Sequence, residues 1–121
     1  MSSITRPLTG PDLVFRLAEQ IAELRADENY QRSGRAGRTL VKSGRLRLTL
    51  TCLASGIEVG THHAEMPMTL QPIEGRLRYR VGDELSEIGA GEVLFFGPGH
   101  AQDIFALDDT ALLLTFSRAD D

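Results

Sequence analysis

The sequence has a single cysteine and no apolar run long enough to cross a membrane. Cys52 alone cannot form an internal disulfide, which fits a reducing compartment. No apolar stretch approaches the roughly 18 residues that a membrane-spanning helix needs. The first residues, MSSITRPLTGPD, lack the apolar core of a signal peptide. We therefore expect a cytoplasmic protein that contacts no membrane.

A large excess of charge of one sign is also missing. The 121 residues carry a net charge of −4, which gives no electrostatic reason to expect nucleic acid as a partner. The apolar fraction of 41% and the charged fraction of 25% are ordinary for a globular chain. A chain of this length is the size of one domain and can bury a core without disulfides.

An amphipathic segment follows a loose arm over residues 1–9. Thr9 as the N-cap, with Pro11 and Asp12 in the first turn, predicts one helix of about four turns. We expect this helix to pack on the body of the domain, and a helix offered to a partner is the alternative. The stretch YQRSGRAGR predicts a solvated linker, so that residues 1–37 precede a β domain over 38–121. The apolar residues at helical spacing are Leu13, Val14, Leu17, Ile21 and Leu24.

From residue 38 onward the pattern predicts an all-β structure. Short alternating strands separated by Gly-rich turns are typical of a sandwich or a barrel. Cys52 shares a strand face with leucines and is expected in the core. The arginines on the opposite faces of RLRLTLTCL and GRLRYRV indicate wet sheet faces, and an anion-binding surface is the alternative. In RLRLTLTCL one face holds Leu46, Leu48, Leu50 and Cys52, and the other holds Arg45, Arg47, Thr49 and Thr51.

Two stretches, GTHHAEMPMTLQPIEGRLRYRVGDE and GAGEVLFFGPGHAQDIFAL, carry a resemblance to a known family. Residues 38–117 resemble a small single-domain cupin of the conserved-barrel type. Gly75, Gly91 and Gly99 fit the glycines of the two cupin motifs. The resemblance implies a double-stranded β-helix, or jelly-roll barrel, preceded here by the one helix. It also implies a homodimer and, in most cupin enzymes, a divalent metal held by three histidines and a glutamate.

The metal-ligand positions of the motifs are altered in this chain. Met68 stands where the family has its glutamate, and a thioether is no ligand for a hard or borderline divalent ion. Gln102 stands at the histidine of the second motif. Only one of His62 and His63 can be aligned with the two histidines of the first motif. A divalent transition metal, if bound, would be held by His62 or His63 with Gln102 or His100.

The resemblance places a binding pocket in the mouth of the barrel. We expect a small-molecule-binding cupin with weak or absent metal. One alternative is an enzyme, either a metal-dependent dioxygenase, isomerase or lyase, or a metal-free catalyst that uses a histidine. Another is an accessory or regulatory domain that acts through the N-terminal helix. The histidines could also be solvated turn residues. The expected pocket residues are His62, His63, Met68, Phe96, His100 and Gln102, with Ile104 or Tyr79 beside them.

Overall fold

The computed structural model describes residues 12–63, 67–97 and 101–117, with only the backbone at 60–63 and 101–102. Within these ranges the chain forms two short helices followed by strands, and no helix is long and apolar enough to cross a bilayer. The elements are α1 (Leu17–Ala26), α2 (Glu28–Ser33), β1 (Arg35–Ser43), β2 (Leu46–Leu53), β3 (Glu58–His63), β4 (Met68–Glu74), β5 (Arg76–Val81), β6 (Glu84–Gly89), β7 (Leu94–Phe96), β8 (Ala101–Ala106) and β9 (Thr110–Ser117).

The strands form two facing antiparallel sheets. One sheet has the order β1-β2-β9-β4-β7 and the other the order β3-β8-β5-β6. Because β3 and β4, then β4 and β5, lie in different sheets, the chain crosses repeatedly between them, as a jelly roll requires. The predicted all-β jelly roll is confirmed, as two sheets rather than one closed ladder. The apolar strands β2 and β9 are both interior strands, so their hydrogen-bonding edges are covered.

The main core fills the space between the two sheets. Each sheet contributes the inward-facing residues of its alternating strands, and the most buried of them lie toward the end where Leu53 and Leu77 sit, each 1% exposed. Burial of these side chains is the principal stabilising term of the fold. The buried members of this core are Leu53, Met68, Leu70, Leu77, Ile88, Phe96, Ile104, Ala106 and Leu112.

A second core lies on the outer face of the five-stranded sheet. Ile21 and Leu24 of α1 are each 3% exposed and pack with Leu50 and Cys52 of β2, which are fully buried. The predicted packing of the helix on the domain and the core position of Cys52 are therefore confirmed. A salt bridge of 2.8 Å from Arg38 to Glu23 also joins β1 to α1, and the Arg38 side chain is only 8% exposed.

Strand β2 is covered on both faces, which corrects the prediction of a wet arginine face there. Leu53 belongs to the core between the sheets, whereas Leu50 and Cys52 lie under the helix. Side chains alternate along a strand, so Arg47, like Leu53, is on the face toward the other sheet. Alternation separates the two faces of a strand but does not tell which of them meets water.

On β5 the predicted wet face is confirmed. Arg76 pairs with Glu87 at 2.8 Å and Arg80 pairs with Asp103 at 2.7 Å, and both arginine side chains are about half exposed. The guanidinium carbon of Arg78 lies 4.7 Å from the centre of the Phe105 ring. These contacts occupy the arginines of this face with neighbours on β6 and β8, and each exposed pair contributes little to stability.

The helical region differs from the prediction at both ends. Helix α1 begins at Leu17, and its N-cap Arg16 has extended dihedral angles and no side-chain capping bond. Val14, predicted on the apolar face of the helix, is 84% exposed, while Phe15 packs against the second core from the segment before the helix. Thr9 and Pro11 lie outside the described residues. Phe15 thus joins the second core from outside the helix, although the local spacing of apolar residues favours a longer helix.

The stretch YQRSGRAGR is not a linker. Asp27 ends α1, accepts a 2.7 Å hydrogen bond from the Asn29 amide and so caps a second helix, α2. Gly34 then closes α2 in the left-handed conformation with φ of 81°. Strand β1 begins directly afterwards at Arg35, three residues before the predicted start of the β region. The described residues thus contain two helices where one is predicted.

Gly75 forms the corner where the chain passes from β4 in one sheet to β5 in the other. Its φ is 85°, a conformation that side chains other than glycine rarely adopt. A Cβ at this position would also lie 2.6 Å from Oγ1 of Thr110 and 2.9 Å from the Thr110 Cα, closer than atoms can approach. The motif glycine is therefore fixed by both conformation and space.

Candidate functional site

The two motif stretches meet at one end of the pair of sheets. Strand β3 ends at His63 and β4 begins at Met68, while β7 ends at Phe96 and β8 begins at Ala101. The register pairs His63 with Ala101 in one sheet and Met68 with Phe96 in the other. We call this the mouth end, and it also includes Phe116 near the end of β9.

The backbone brings His62 and Gln102 together as direct partners on β3 and β8. The register of β3 shifts between Val59 and His62, so the strand contains an irregularity of the bulge type. This irregularity precedes His62 and accompanies its direct pairing with Gln102. His100 lies outside the described residues, as do the side chains of His62, His63 and Gln102.

Met68 and Phe96 are buried inward-facing residues of the mouth end. They expose 6% and 4% of their surfaces and belong to the core between the sheets. On the facing sheet, Ile104 is 9% exposed and Tyr79 is half-buried against the same core. Gln71, on the opposite face of β4, is exposed. The described wall of the mouth end is therefore mainly apolar.

A single row of paired residues crosses the five-stranded sheet at this end. Lys42 pairs with Arg47, Arg47 with Phe116, Phe116 with Met68, and Met68 with Phe96. Paired residues of antiparallel strands project to the same side, so the row faces the second sheet as Met68 does. The sequence pattern does not identify Arg47 or Phe116 as residues of this end. It places Arg47 on a solvent-exposed face of β2, and it gives no prediction for Phe116. The alternation with Leu53 was the signal that could have found Arg47.

Among the described side chains of the mouth end, a thioether stands at the position that the cupin resemblance aligns with a metal-binding glutamate. It belongs to Met68, which is buried among apolar groups such as Phe96 and Leu70. A thioether does not replace a carboxylate oxygen toward hard or borderline divalent ions. Among the described residues no group of three histidine, cysteine or acidic side chains is placed to hold a metal.

Cys52 lies away from the mouth end, on the helix side of β2. Its burial raises the pKa of the thiol, with a smaller opposing effect of Arg25. A thiol that is fully buried and resists ionisation is a poor nucleophile. Cys52 is therefore a packing residue, as the sequence predicts.

Comparison with solved structures shows the fold. A cupin superfamily protein from Desulfitobacterium hafniense aligns over 71% of this chain and 79% of its own, with 15% identity and a TM-score of 0.67. A conserved Streptococcus pyogenes protein of unknown function aligns over 99% of this chain and 98% of its own, with 16% identity and a TM-score of 0.69. Salicylate 1,2-dioxygenase from Pseudoaminobacter salicylatoxidans, with gentisate, aligns with a TM-score of 0.75 and 15% identity over 84% of this chain.

These likenesses lie in three-dimensional structure rather than in sequence. No protein-family model matches the sequence, and no curated protein matches it significantly. The chain spans 32% of the length of the salicylate dioxygenase, but 79% of the D. hafniense cupin. Together with the two facing sheets, the crossing topology and the corner glycine, the matches show that this chain has the fold of a small cupin.

Proposed function

We propose that this protein binds a small, largely apolar molecule at the mouth end and holds no metal tightly there. The observation that carries the proposal is the buried pair of Met68 and Phe96, because the cupin resemblance aligns Met68 with a metal-binding glutamate and Phe96 adds an aromatic ring beside it. Binding sites for small molecules are mostly apolar, with a few polar groups that fix orientation. Phe116 and Leu114, both partly buried beside this core, extend the apolar wall.

The polar groups of the proposed pocket are His62, His63, His100 and Gln102. The direct pairing of His62 with Gln102 supports a shared role for these two residues in orienting the ligand. An imidazole and an amide together offer both donors and acceptors, which suits a ligand with a carbonyl or hydroxyl group.

A ligand screen against protein purified without added metal tests the proposal. Small aromatic and aliphatic molecules are screened by thermal shift, because a ligand that binds only the folded state raises its stability. Phe116→Leu and Phe95→Leu form a matched pair of variants, since Phe95 lies outside the core and is 64% exposed. Hits should bind at least about fivefold more weakly to Phe116→Leu and unchanged to Phe95→Leu. Equal binding to both variants would contradict a site at the mouth end.

The competing function is a metal-dependent cupin enzyme of the dioxygenase, isomerase or lyase type. The likeness in fold to a salicylate dioxygenase and the pairing of His62 with Gln102 favour it. Elemental analysis after dialysis separates the two functions. Metal well below one equivalent supports the metal-poor site, and stoichiometric transition metal overturns it. The triple variant His62→Ala, His63→Ala and His100→Ala then shows whether any retained metal or activity depends on the histidines.

An accessory domain acting through its N-terminal helix is a weaker candidate. The apolar residues Ile21 and Leu24 of α1 are already buried against the chain's own sheet, so they are not offered to a partner. We therefore propose that residues 1–37 and 38–121 form a single domain. The cupin resemblance implies a homodimer, and light scattering on the purified protein measures the oligomeric state. A location in the cytoplasm is proposed from the sequence composition.

A further inference from the structure

We infer that the ligand of the mouth end carries an anionic group and that Arg47, helped by Lys42, binds it. This inference rests on the proposed function, because it names the chemical class of the molecule bound there. The class is a small apolar molecule with a carboxylate.

The row that lines the mouth end changes from cationic to apolar along its length. Lys42 and Arg47 are direct partners at one side, and Phe116, Met68 and Phe96 follow. Like charges placed directly opposite each other on neighbouring strands destabilise a sheet. A bound anion between or beside the two cations removes that cost, and the neighbouring rings and thioether receive the apolar part of the same molecule.

Arg47 differs from the arginines of the chain that have carboxylate partners. Its Nη1 donates hydrogen bonds of 2.8 Å to the carbonyl of Gly44 and 2.9 Å to that of Leu46, which hold the guanidinium at the end of the β1–β2 hairpin. In the described part of the chain, neither Arg47 nor Lys42 forms a salt bridge with a carboxylate. Salt bridges occupy Arg25, Arg32, Arg38, Arg76 and Arg80.

The sequence around this hairpin is cationic although the whole chain is acidic. No aspartate or glutamate occurs between Asn29 and Glu58, and this segment contains Lys42, Arg45 and Arg47 beside the mouth end. The net charge of the chain is −4, so the positive charge is local. Arg47 is half-buried, and reduced contact with water strengthens its attraction for an anion. An arginine also binds a carboxylate with two parallel hydrogen bonds.

The test compares the affinity of the protein for small carboxylic acids with its affinity for the corresponding neutral amides. Binding of benzoate and benzamide, and of octanoate and octanamide, is measured by NMR titration at low salt. We expect each acid to bind about tenfold more tightly than its amide, as a charge-assisted hydrogen bond provides. In Arg47→Gln this preference disappears, and in Arg47→Lys part of it remains. Raising the salt concentration should weaken the binding of the acids and leave the binding of the amides unchanged.

Two further variants make the result specific. Lys42→Gln leaves the hydrogen bonds of Arg47 to the turn in place and should reduce the preference for acids over amides by a smaller factor than Arg47→Gln does. A reduced preference in this variant therefore cannot come from the loss of those hydrogen bonds. Arg45→Gln removes an exposed cation of the turn and should keep the full preference. If Arg45→Gln loses as much as Arg47→Gln, or if acids and amides bind equally well, the inference is wrong while the proposed function stands. If none of the four probes binds, both are rejected.

Discussion

Met68 and Phe96 lie directly opposite each other on β4 and β7, and neither exposes more than 6% of its surface. The pair closes the interior at the end where both cupin motifs meet. The position that the cupin resemblance aligns with a metal-binding glutamate thus has a packing role in this chain. The same relationship makes Met68 a contributor to stability, which a metal-ligand position need not be.

Truncation of Met68 should destabilise the fold, and a change that conserves its volume should not. We expect Met68→Ala to lower the free energy of unfolding by about 2–4 kcal/mol, since it removes buried apolar surface and leaves a cavity. Met68→Leu should cost less than about 1.5 kcal/mol. Urea unfolding followed by circular dichroism measures both values. Equal stability of Met68→Ala and the wild type would show that the side chain is not packed.

Replacement of Gly75 should cost more than replacement of Gly91, although both have positive φ. The φ angles are 85° and 91°, so alanine pays a similar conformational penalty of about 1–2 kcal/mol at either site. A Cβ at Gly91 meets nothing within 4 Å, whereas one at Gly75 collides with Thr110. The difference in melting temperature between Gly75→Ala and Gly91→Ala therefore measures the cost of the collision between the added Cβ and Thr110. A difference near zero would refute the tight corner.

Much of the β structure is predictable from sequence, because strict alternation and Gly-rich turns identify β2 and β5. The layer that each strand face meets is not predictable in the same way. Strand β2 is covered by a helix on one side and a second sheet on the other, and its threonines and Arg47 look like a solvent face in the sequence. The row containing Arg47 and Phe116 depends on the register across four strand pairs, which no local pattern encodes.

The limits of local reasoning are similar at the helices and the motif. The apolar spacing of Leu13 and Val14 favours a longer helix, yet the helix begins at Leu17 and Phe15 packs against the second core ahead of it. The pairing of His62 with Gln102 depends on a register shift in β3, which spacing alone leaves open. The motif glycine Gly75 is identifiable from its place in the motif, whereas the close approach of Thr110, which leaves no room for a side chain there, is a contact between distant parts of the sequence.

Helix α1 should stabilise the sheet through its buried face alone. We expect Leu24→Ala to lower the free energy of unfolding by about 2–4 kcal/mol, because Leu24 is 3% exposed against β2. Val14→Ala is the control. Val14 is 84% exposed, so its truncation should change stability by less than about 0.5 kcal/mol. A large loss in Val14→Ala would mean that the segment before α1 is bound to another surface, such as a second copy of the chain.

Alkaline pH should destabilise the protein partly through Cys52. Burial raises the pKa of the Cys52 thiol, and burial together with Asp109 raises the pKa of Tyr30. The native state therefore retains protons that the unfolded chain releases, so the contribution is complete below the unfolded pKa and is lost as pH rises through the folded one. Stability should fall from about pH 9, where an unfolded thiol ionises, and further above about pH 10 as tyrosine follows. Cys52→Val should not show the loss of stability that begins at about pH 9. Urea unfolding of the variant and the wild type between pH 8 and 10.5 measures the difference in their free energies of unfolding. Parallel curves for the variant and the wild type would show that the thiol does not contribute.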